Sequence, residues 1–242
     1  MSDTHIKFET PGEHVFRVGD AEKIFQYAGF RYSANSTDSF VRLLKANIKD
    51  VWNAVVFVND KGFHAIVDTS VTDRPQDKIV YDFSLSPQGE EWGLILEKGQ
   101  VFDVKSMVDF LKRRETGEID TIEDILYAAQ NFRYVIKSEG DFTRDNSQNY
   151  VMAIKVGEAE GTIKVPEKIY ANIALLKGSD FTQSIEIEVD IHRPKDEKDG
   201  KPGFHLSCPK FERYYQRAIL SEVAALKHEL GEFLVIDGAP GA

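Results

Sequence analysis

Ala54-Val55-Val56-Phe57-Val58-Asn59-Asp60-Lys61-Gly62-Phe63-His64-Ala65-Ile66-Val67-Asp68 is the stretch on which the fold class turns. Two runs rich in β-branched and aromatic residues flank Asn59-Asp60-Lys61-Gly62, residue types that populate tight turns. The pattern predicts an antiparallel hairpin. Downstream, Lys78–Leu85 alternates Ile79, Tyr81, Phe83 and Leu85 with more polar residues, which predicts a third strand beside the pair. Upstream, Gly29–Ser33 reads as a strand. Asn35-Ser36-Thr37-Asp38 then offers side-chain acceptors for a helix start, and Phe40, Val41, Leu44 and Ile48 follow at helical spacing. A short strand is expected at His14–Val18, within a polar, turn-rich N-terminal stretch.

Past the hairpin, Trp92–Leu96 has no decisive period. Asp103 reads as the N-cap of a helix through Arg114, with Val104, Met107, Val108 and Leu111 on one face. Asp120-Thr121-Ile122-Glu123 resembles a capping box opening a helix that carries Ile122, Ile125, Leu126, Ala129, Phe132 and Ile136. Beyond Gly140 the pattern changes to strands at Tyr150–Val156, Ile163–Leu176, Gln183–Arg193 and Phe204–Cys208, with a charged loop at 194–202. Lys210–Leu230 is a long helix with Phe211, Tyr215, Ile219, Val223, Leu226 and Leu230 as its apolar stripe. Gly231 stops it, and Phe233–Ile236 closes the chain as a strand. The expected fold is α+β, with mixed or antiparallel sheets and about four helices. The change near Gly140 divides residues 1–140, an α+β lobe with the hairpin, a strand and three helices, from 141–242, a β-rich lobe with the long helix and closing strand. No linker of Gly, Ser or Pro separates them, so the two lobes are expected to share one sheet or to pack closely.

Composition narrows the function. Of 242 residues, 42% are hydrophobic and 29% charged, as in a foldable globular protein. The net charge of −10 opposes non-specific binding to nucleic acid or anionic lipid, and no basic run exceeds Lys112-Arg113-Arg114. The lone Cys208 excludes an internal disulfide and a cysteine-based zinc site. No secretory leader pattern and no bilayer-length apolar run occur, which makes the cytoplasm the expected compartment. P-loop, dinucleotide-fingerprint, HExxH and GxSxG motifs are all missing, so no cofactor is expected and an enzyme would need a dispersed site.

Four groups of residues could carry chemistry. Glu186, Glu188, Asp190 and His192 alternate along one strand, about 7 Å apart on one face. With His205 on the next strand, expected to face His192 across the hairpin, they could bind a divalent cation. The plainer reading is the wet face of a sheet, its acids paired with Lys164 and Lys168. His64 and Asp68 share a strand face but lie about 13 Å apart, too far for a catalytic hydrogen bond, and Asp68 reads instead as a cap on Ser70. Glu115, Glu118, Asp120, Glu123 and Asp124 form an acid run with no base among them. It reads as helix-dipole compensation, or as a negative surface that competes with nucleic acid for a basic protein site. Phe211, Tyr214 and Tyr215 with Arg213 and Arg217 could stack on single-stranded nucleic acid, or could be helix core plus solvated face.

Ser39-Phe40 at a helix start, Ala54-Val55-Val56-Phe57, Ala65-Ile66-Val67-Asp68, Trp92 followed by Phe102, Met107, Phe110 and Leu111, and Val165-Pro166 before a long strand together resemble the YfdQ-like proteins of phages and prophages. The resemblance covers roughly residues 30–195. The segment before Trp92 departs from the pattern, being short and acidic. The resemblance implies a phage or prophage accessory protein inside a bacterial host cell, with no activity to carry over. The expected function is therefore protein–protein interaction, as an acidic inhibitor or modulator of host nucleic-acid or defence machinery, with a host or phage protein of basic surface as partner. The alternatives are a nucleic-acid-binding accessory factor in recombination or replication and a metal-dependent enzyme. Self-association is left open.

Overall fold

A computed structural model of the chain describes residues 29–71, 75–132, 143–144, 149–156, 159–192 and 202–240, those between 143 and 164 through their backbone. The expected strand at His14–Val18, most of the loop 194–202 and Ile136 lie outside the described residues.

The hairpin forms as its turn chemistry requires. Val55–Asn59 (β2) pairs antiparallel with Gly62–Ile66 (β3), with Asn59 opposite Gly62. The Asn59 side-chain oxygen accepts from the backbone N–H groups of Lys61 at 2.8 Å and Gly62 at 3.1 Å, fixing the register. Lys78–Asp82 (β4) adds antiparallel to β3 as the expected third strand, but it stops three residues short of Leu85 and buries Ile79, Val80 and Tyr81 in succession rather than in alternation. Arg31–Ser33 (β1) and Leu234–Asp237 (β12) complete a mixed sheet in the order β1-β4-β3-β2-β12, both edge strands pairing parallel. Thr37–Asn47 (α1) packs on it, started by a Ser36–Ser39 capping box.

A second sheet, antiparallel throughout, runs β5 (Gln100–Asp103), β11 (Gly203–Ser207), β10 (Gln183–His192), β9 (Lys168–Ile173). A third joins β6 (Thr143–Arg144), β7 (Asn149–Val156) and β8 (Ala159–Pro166). The single strand expected over Ile163–Leu176 is thus broken into β8 and β9, which belong to different sheets. Pro166 ends β8, since proline has no N–H to extend the ladder. Residue 167 lies outside both strands, its carbonyl accepting from Val189 N–H at 2.8 Å.

Five α-helices lie among the described residues. Besides α1 they are Pro87–Leu96 (α2), Val104–Lys112 (α3), Ile122–Asn131 (α4) and Phe211–Glu229 (α5). Helix α3 starts as expected, with the Asp103 carboxylate accepting from Ser106 N–H at 2.8 Å. The helix that the pattern left undecided is α2. Ser86 caps it and Pro87 fills its first position. Its backbone lies so close to Leu175 that a Cβ on Gly89 would sit 2.6 Å from the Leu175 carbonyl oxygen.

Residue 140 does not separate the sheets. Strand β12 completes the sheet of the N-terminal hairpin, and β5 pairs with β11. One core gathers Trp92, Phe110 and Ile125 with Ile169, Ile187 and Phe204, and the other gathers Phe40, Val56, Phe63 and Ile79 with Leu226 and Leu230. Helix α5 runs through both, burying Phe211 and Ile219 in the first and Leu226 in the second, with Val223 against each.

Where the cores meet, polar groups bind the elements together. The buried Glu222 carboxylate accepts from the hydroxyls of Thr37 and Ser179. Tyr81 donates its hydroxyl to the Lys177 carbonyl at 2.9 Å. Burial, then the charge of Glu222 and the neighbouring Tyr215, push the Tyr81 hydroxyl up to about 12. A phenol that holds its proton more tightly when folded contributes stability below its unfolded value of about 10 and loses it as pH rises through 12. The stability difference between wild type and Tyr81→Phe is therefore expected to be constant below pH 9 and to shrink between pH 10 and pH 12, measured by urea unfolding across that range.

Candidate interaction surfaces

On β10 the buried Ile185, Ile187 and Val189 alternate with Glu186, Glu188 and Asp190, as an antiparallel sheet with one wet face requires. The wet face is organised by ion pairing. Glu186 Oε1 lies 3.0 Å from Lys168 Nζ and 3.6 Å from Lys210 Nζ. The Lys168 hydrogen bond holds the Glu186 carboxyl below the usual range, and the same bond raises the Lys168 ammonium. Cross-strand register puts Asp190 opposite His205 and His192 opposite Gly203, so His205 does not face His192 as expected. Among the described residues no group of three or more His, Cys, Asp or Glu is arranged to hold a metal ion. The stripe Glu186, Glu188, Asp190, His192 with His205 is a charged sheet face rather than a converged ligand set.

The aromatic residues near the start of α5 are used internally. Phe211 is buried, and Tyr214 and Tyr215 pack against the first core. The Tyr214 carbonyl accepts from Gln183 Nε2 at 2.7 Å, and its hydroxyl accepts from Glu186 N–H at 3.2 Å. These bonds cover the side of β10 that β11 does not reach. Arg217 lies over the Tyr214 ring at 6.0 Å, and Arg213 is exposed. Beside them a groove of about 530 Å³ is lined by His205, Ser207 and Cys208 among others. Burial pushes the Cys208 thiol up, which disfavours the reactive thiolate. At the hairpin, Asp68 accepts from Ser70 N–H at 3.0 Å, the expected cap, while His64 Nε2 lies 3.7 Å from Asp82.

The acid run 115–124 divides in two. Glu118 is buried, which corrects its place among the surface acids. Its Oε1 accepts from Trp92 Nε1 at 2.8 Å and from Arg114 Nη1 at 3.1 Å, and its Oε2 accepts from Glu115 N–H at 3.0 Å. Glu115, Asp120, Glu123 and Asp124 are exposed. The expected capping box is not made. Ile119 bridges to Ala171, Asp120 N–H donates to the Tyr170 carbonyl at 2.9 Å, and the Asp120 carboxylate accepts from Asn172 Nδ2 at 2.8 Å. Drawn against β9, the chain turns through Thr121 at φ 58°, with no side-chain cap on α4. Glu123 and Asp124 in the first turn complement the exposed N-terminal N–H groups instead.

Tyr127 stands one turn further along α4, 63% exposed, at i+4 from Glu123 and i+3 from Asp124. Tyr170, 40% exposed, lies on β9 beside Asp120. The sequence held a sign of Tyr127, which falls outside the apolar stripe of its helix. Tyr170 becomes an exposed neighbour of Asp120 through the bridge between 119 and 171, which no local pattern announces.

A scan against protein-family models and searches of curated proteins and of solved structures returned no match to this chain. Among the described residues no helix is long and apolar enough to cross a membrane.

Proposed function

We propose that this chain is a protein-interaction module whose acidic surface at the start of α4 binds a basic surface on a host or phage protein. The observation that carries the reading is an exposed tyrosine one helical turn from two exposed acids, Tyr127 with Glu123 and Asp124, in a segment where Asp120 and Glu115 upstream are exposed as well. A large aromatic ring supplies contact area at low entropic cost, and anchors of this kind carry much of the energy of protein interfaces. The surrounding carboxylates steer a cationic partner and repel nucleic acid. A basic site that otherwise holds nucleic acid offers the matching charge. The phage or prophage setting belongs to this proposal and rests on the YfdQ-like resemblance.

The test is affinity capture from nuclease-treated bacterial lysate at two salt concentrations, with wild type and variants side by side. A single protein retained at low salt and released at high salt is expected. Tyr127→Ala should weaken it by about 30-fold, the ~2 kcal/mol of an aromatic anchor. Glu123→Lys with Asp124→Lys should abolish the salt dependence. A partner indifferent to all three substitutions would remove this surface from the function. Recovery of nucleic acid in untreated lysate, lost with nuclease, would favour the nucleic-acid-binding alternative.

A further inference from the structure

We infer that the β12 edge is a strand-addition site, taking an extended apolar segment of a partner protein that carries lysine or arginine at its ends. In the parallel ladder between β2 and β12, Gly238 N–H donates to the Val58 carbonyl at 2.8 Å. This phase turns the main-chain groups of the even-numbered residues 234 and 236 toward β2. Those of Val235 and Asp237 therefore face the open side, where no described strand pairs with them. Such an edge is a template for another strand. Leu234 and Ile236, two residues apart and so on one face, are 54% and 39% exposed. They lie opposite the half-buried Val55 and Phe57 of β2.

Trp52 lies at the end of the sheet from which β2 and β12 both start. It sits in the one-turn 3₁₀ helix Val51–Asn53, three residues before Val55, and is 88% exposed. Its turn is held firmly: the Asp50 carboxylate accepts from Trp52 N–H at 3.0 Å, and the Asn53 carbonyl accepts from Thr69 N–H at 2.8 Å and from its hydroxyl at 3.0 Å. A tryptophan displayed on a fixed turn at the end where β12 begins has the makings of an interface anchor for a segment that runs past that end.

Charge selects the occupant. Residues 231–240 hold Glu232 and Asp237 and no base, in a chain of net charge −10. A second copy pairing edge to edge about a two-fold axis would run antiparallel and set the Asp237 end of each strand toward the Glu232 end of the other, bringing like charges together. A segment with cationic ends meets opposite charge at either end of β12 and can compete for Asp237 with Lys227, its exposed partner at 3.4 Å. This site is independent of the acidic surface on α4.

The test uses the full chain and a capped peptide of alternating valine and threonine with a lysine at each end. The chain has two tryptophans, and Trp92 is fully buried, so quenching by iodide reports on Trp52. Saturable protection of Trp52 by the peptide is expected. Ile236→Lys, at an exposed position, should weaken binding at least about tenfold, a change of ~1.4 kcal/mol. Val235→Pro, which removes an outward N–H and no bond to β2, should abolish binding, and Glu123→Lys should leave it unchanged. No saturation at millimolar peptide, or binding that ignores both Ile236→Lys and Val235→Pro, would overturn the inference. So would a micromolar dimer in sedimentation that Ile236→Lys dissociates, since a second copy would then be the occupant.

Discussion

Arg114→Met is expected to lower the unfolding free energy by about 3–5 kcal/mol, the largest loss of any single side-chain replacement proposed for this chain. The Arg114 and Glu118 side chains are 5% and 4% exposed. The guanidinium donates to Glu118 at 3.1 Å, to Glu91 at 2.7 Å and, through Nε, to the Phe110 carbonyl at 3.2 Å. It also lies 4.3 Å from the Phe110 ring centroid and 5.7 Å from that of Trp92. Methionine keeps much of the packing volume and removes the charge. Glu118 then stays in the core with N–H donors from Trp92 and Glu115 and no cation. An uncompensated buried carboxylate costs more than the intact pair contributes over an apolar replacement, because desolvation is no longer offset. Glu118→Gln in the Arg114→Met background is expected to recover about 2 kcal/mol by removing the stranded charge. A urea-unfolding cycle of the two singles and the double, with unchanged m values, measures this. A loss below about 1 kcal/mol for Arg114→Met would mean that water reaches Glu118 and the pair is no more than a surface one.

The same cluster shows where sequence reading stops. Glu118 stands in a run of acids, and acids are ordinarily exposed. The sign of its burial was nevertheless present: Arg114 precedes it by four residues, and the buried Trp92 needs an acceptor for its indole N–H. Reading these together requires knowing that α2 packs beside α3, which no local pattern supplies. Helix α2 itself was obscured by Gly89 and Gly93, which lower helical propensity and serve close approach to Leu175 and Phe211. The hairpin, by contrast, was legible to the residue pair because Asn59 and Gly62 act within a few residues of each other. The helix starts at Ser36 and Asp103 were legible for the same reason. At Thr121 the position of the start was legible and its capping was not, because Asp120 is drawn off by Asn172, 52 residues away. The interleaving of the chain across residue 140 depends on the pairing of β12 with β2 and of β5 with β11, contacts that are long-range in sequence. On the surfaces, sequence supplied charge and helical phase, hence the acids around Tyr127. It did not show which side of β12 no described strand covers.

Gly178→Ala is expected to destabilise the chain by about 2–4 kcal/mol. Two independent costs act there. The residue adopts φ 74°, a left-handed conformation that costs a residue with a Cβ about 1–2 kcal/mol. The added Cβ would also lie 2.0 Å from the Asn35 carbonyl oxygen, 3.0 Å from its carbon and 3.1 Å from Ser36 Cβ. The colliding atom is backbone at the start of α1, so no side chain can swing aside, and the segment around 178 must retreat. That segment carries the Lys177 carbonyl that receives the Tyr81 hydroxyl and the Ser179 hydroxyl that binds Glu222. Losing either leaves a buried polar group short of a partner, at about 1–3 kcal/mol. A domain of this length shifts its midpoint by about 2–4 °C per kcal/mol, so a fall near 10 °C is expected in a thermal melt. Because the break falls where the two cores meet, the melt should also lose cooperativity. Tryptophan fluorescence, governed by the buried Trp92, follows the first core, and its midpoint is compared with that of far-UV circular dichroism, which follows the whole chain. A single sharp transition within about 2 °C of wild type would mean that this contact contributes little, and that α5 alone couples the cores.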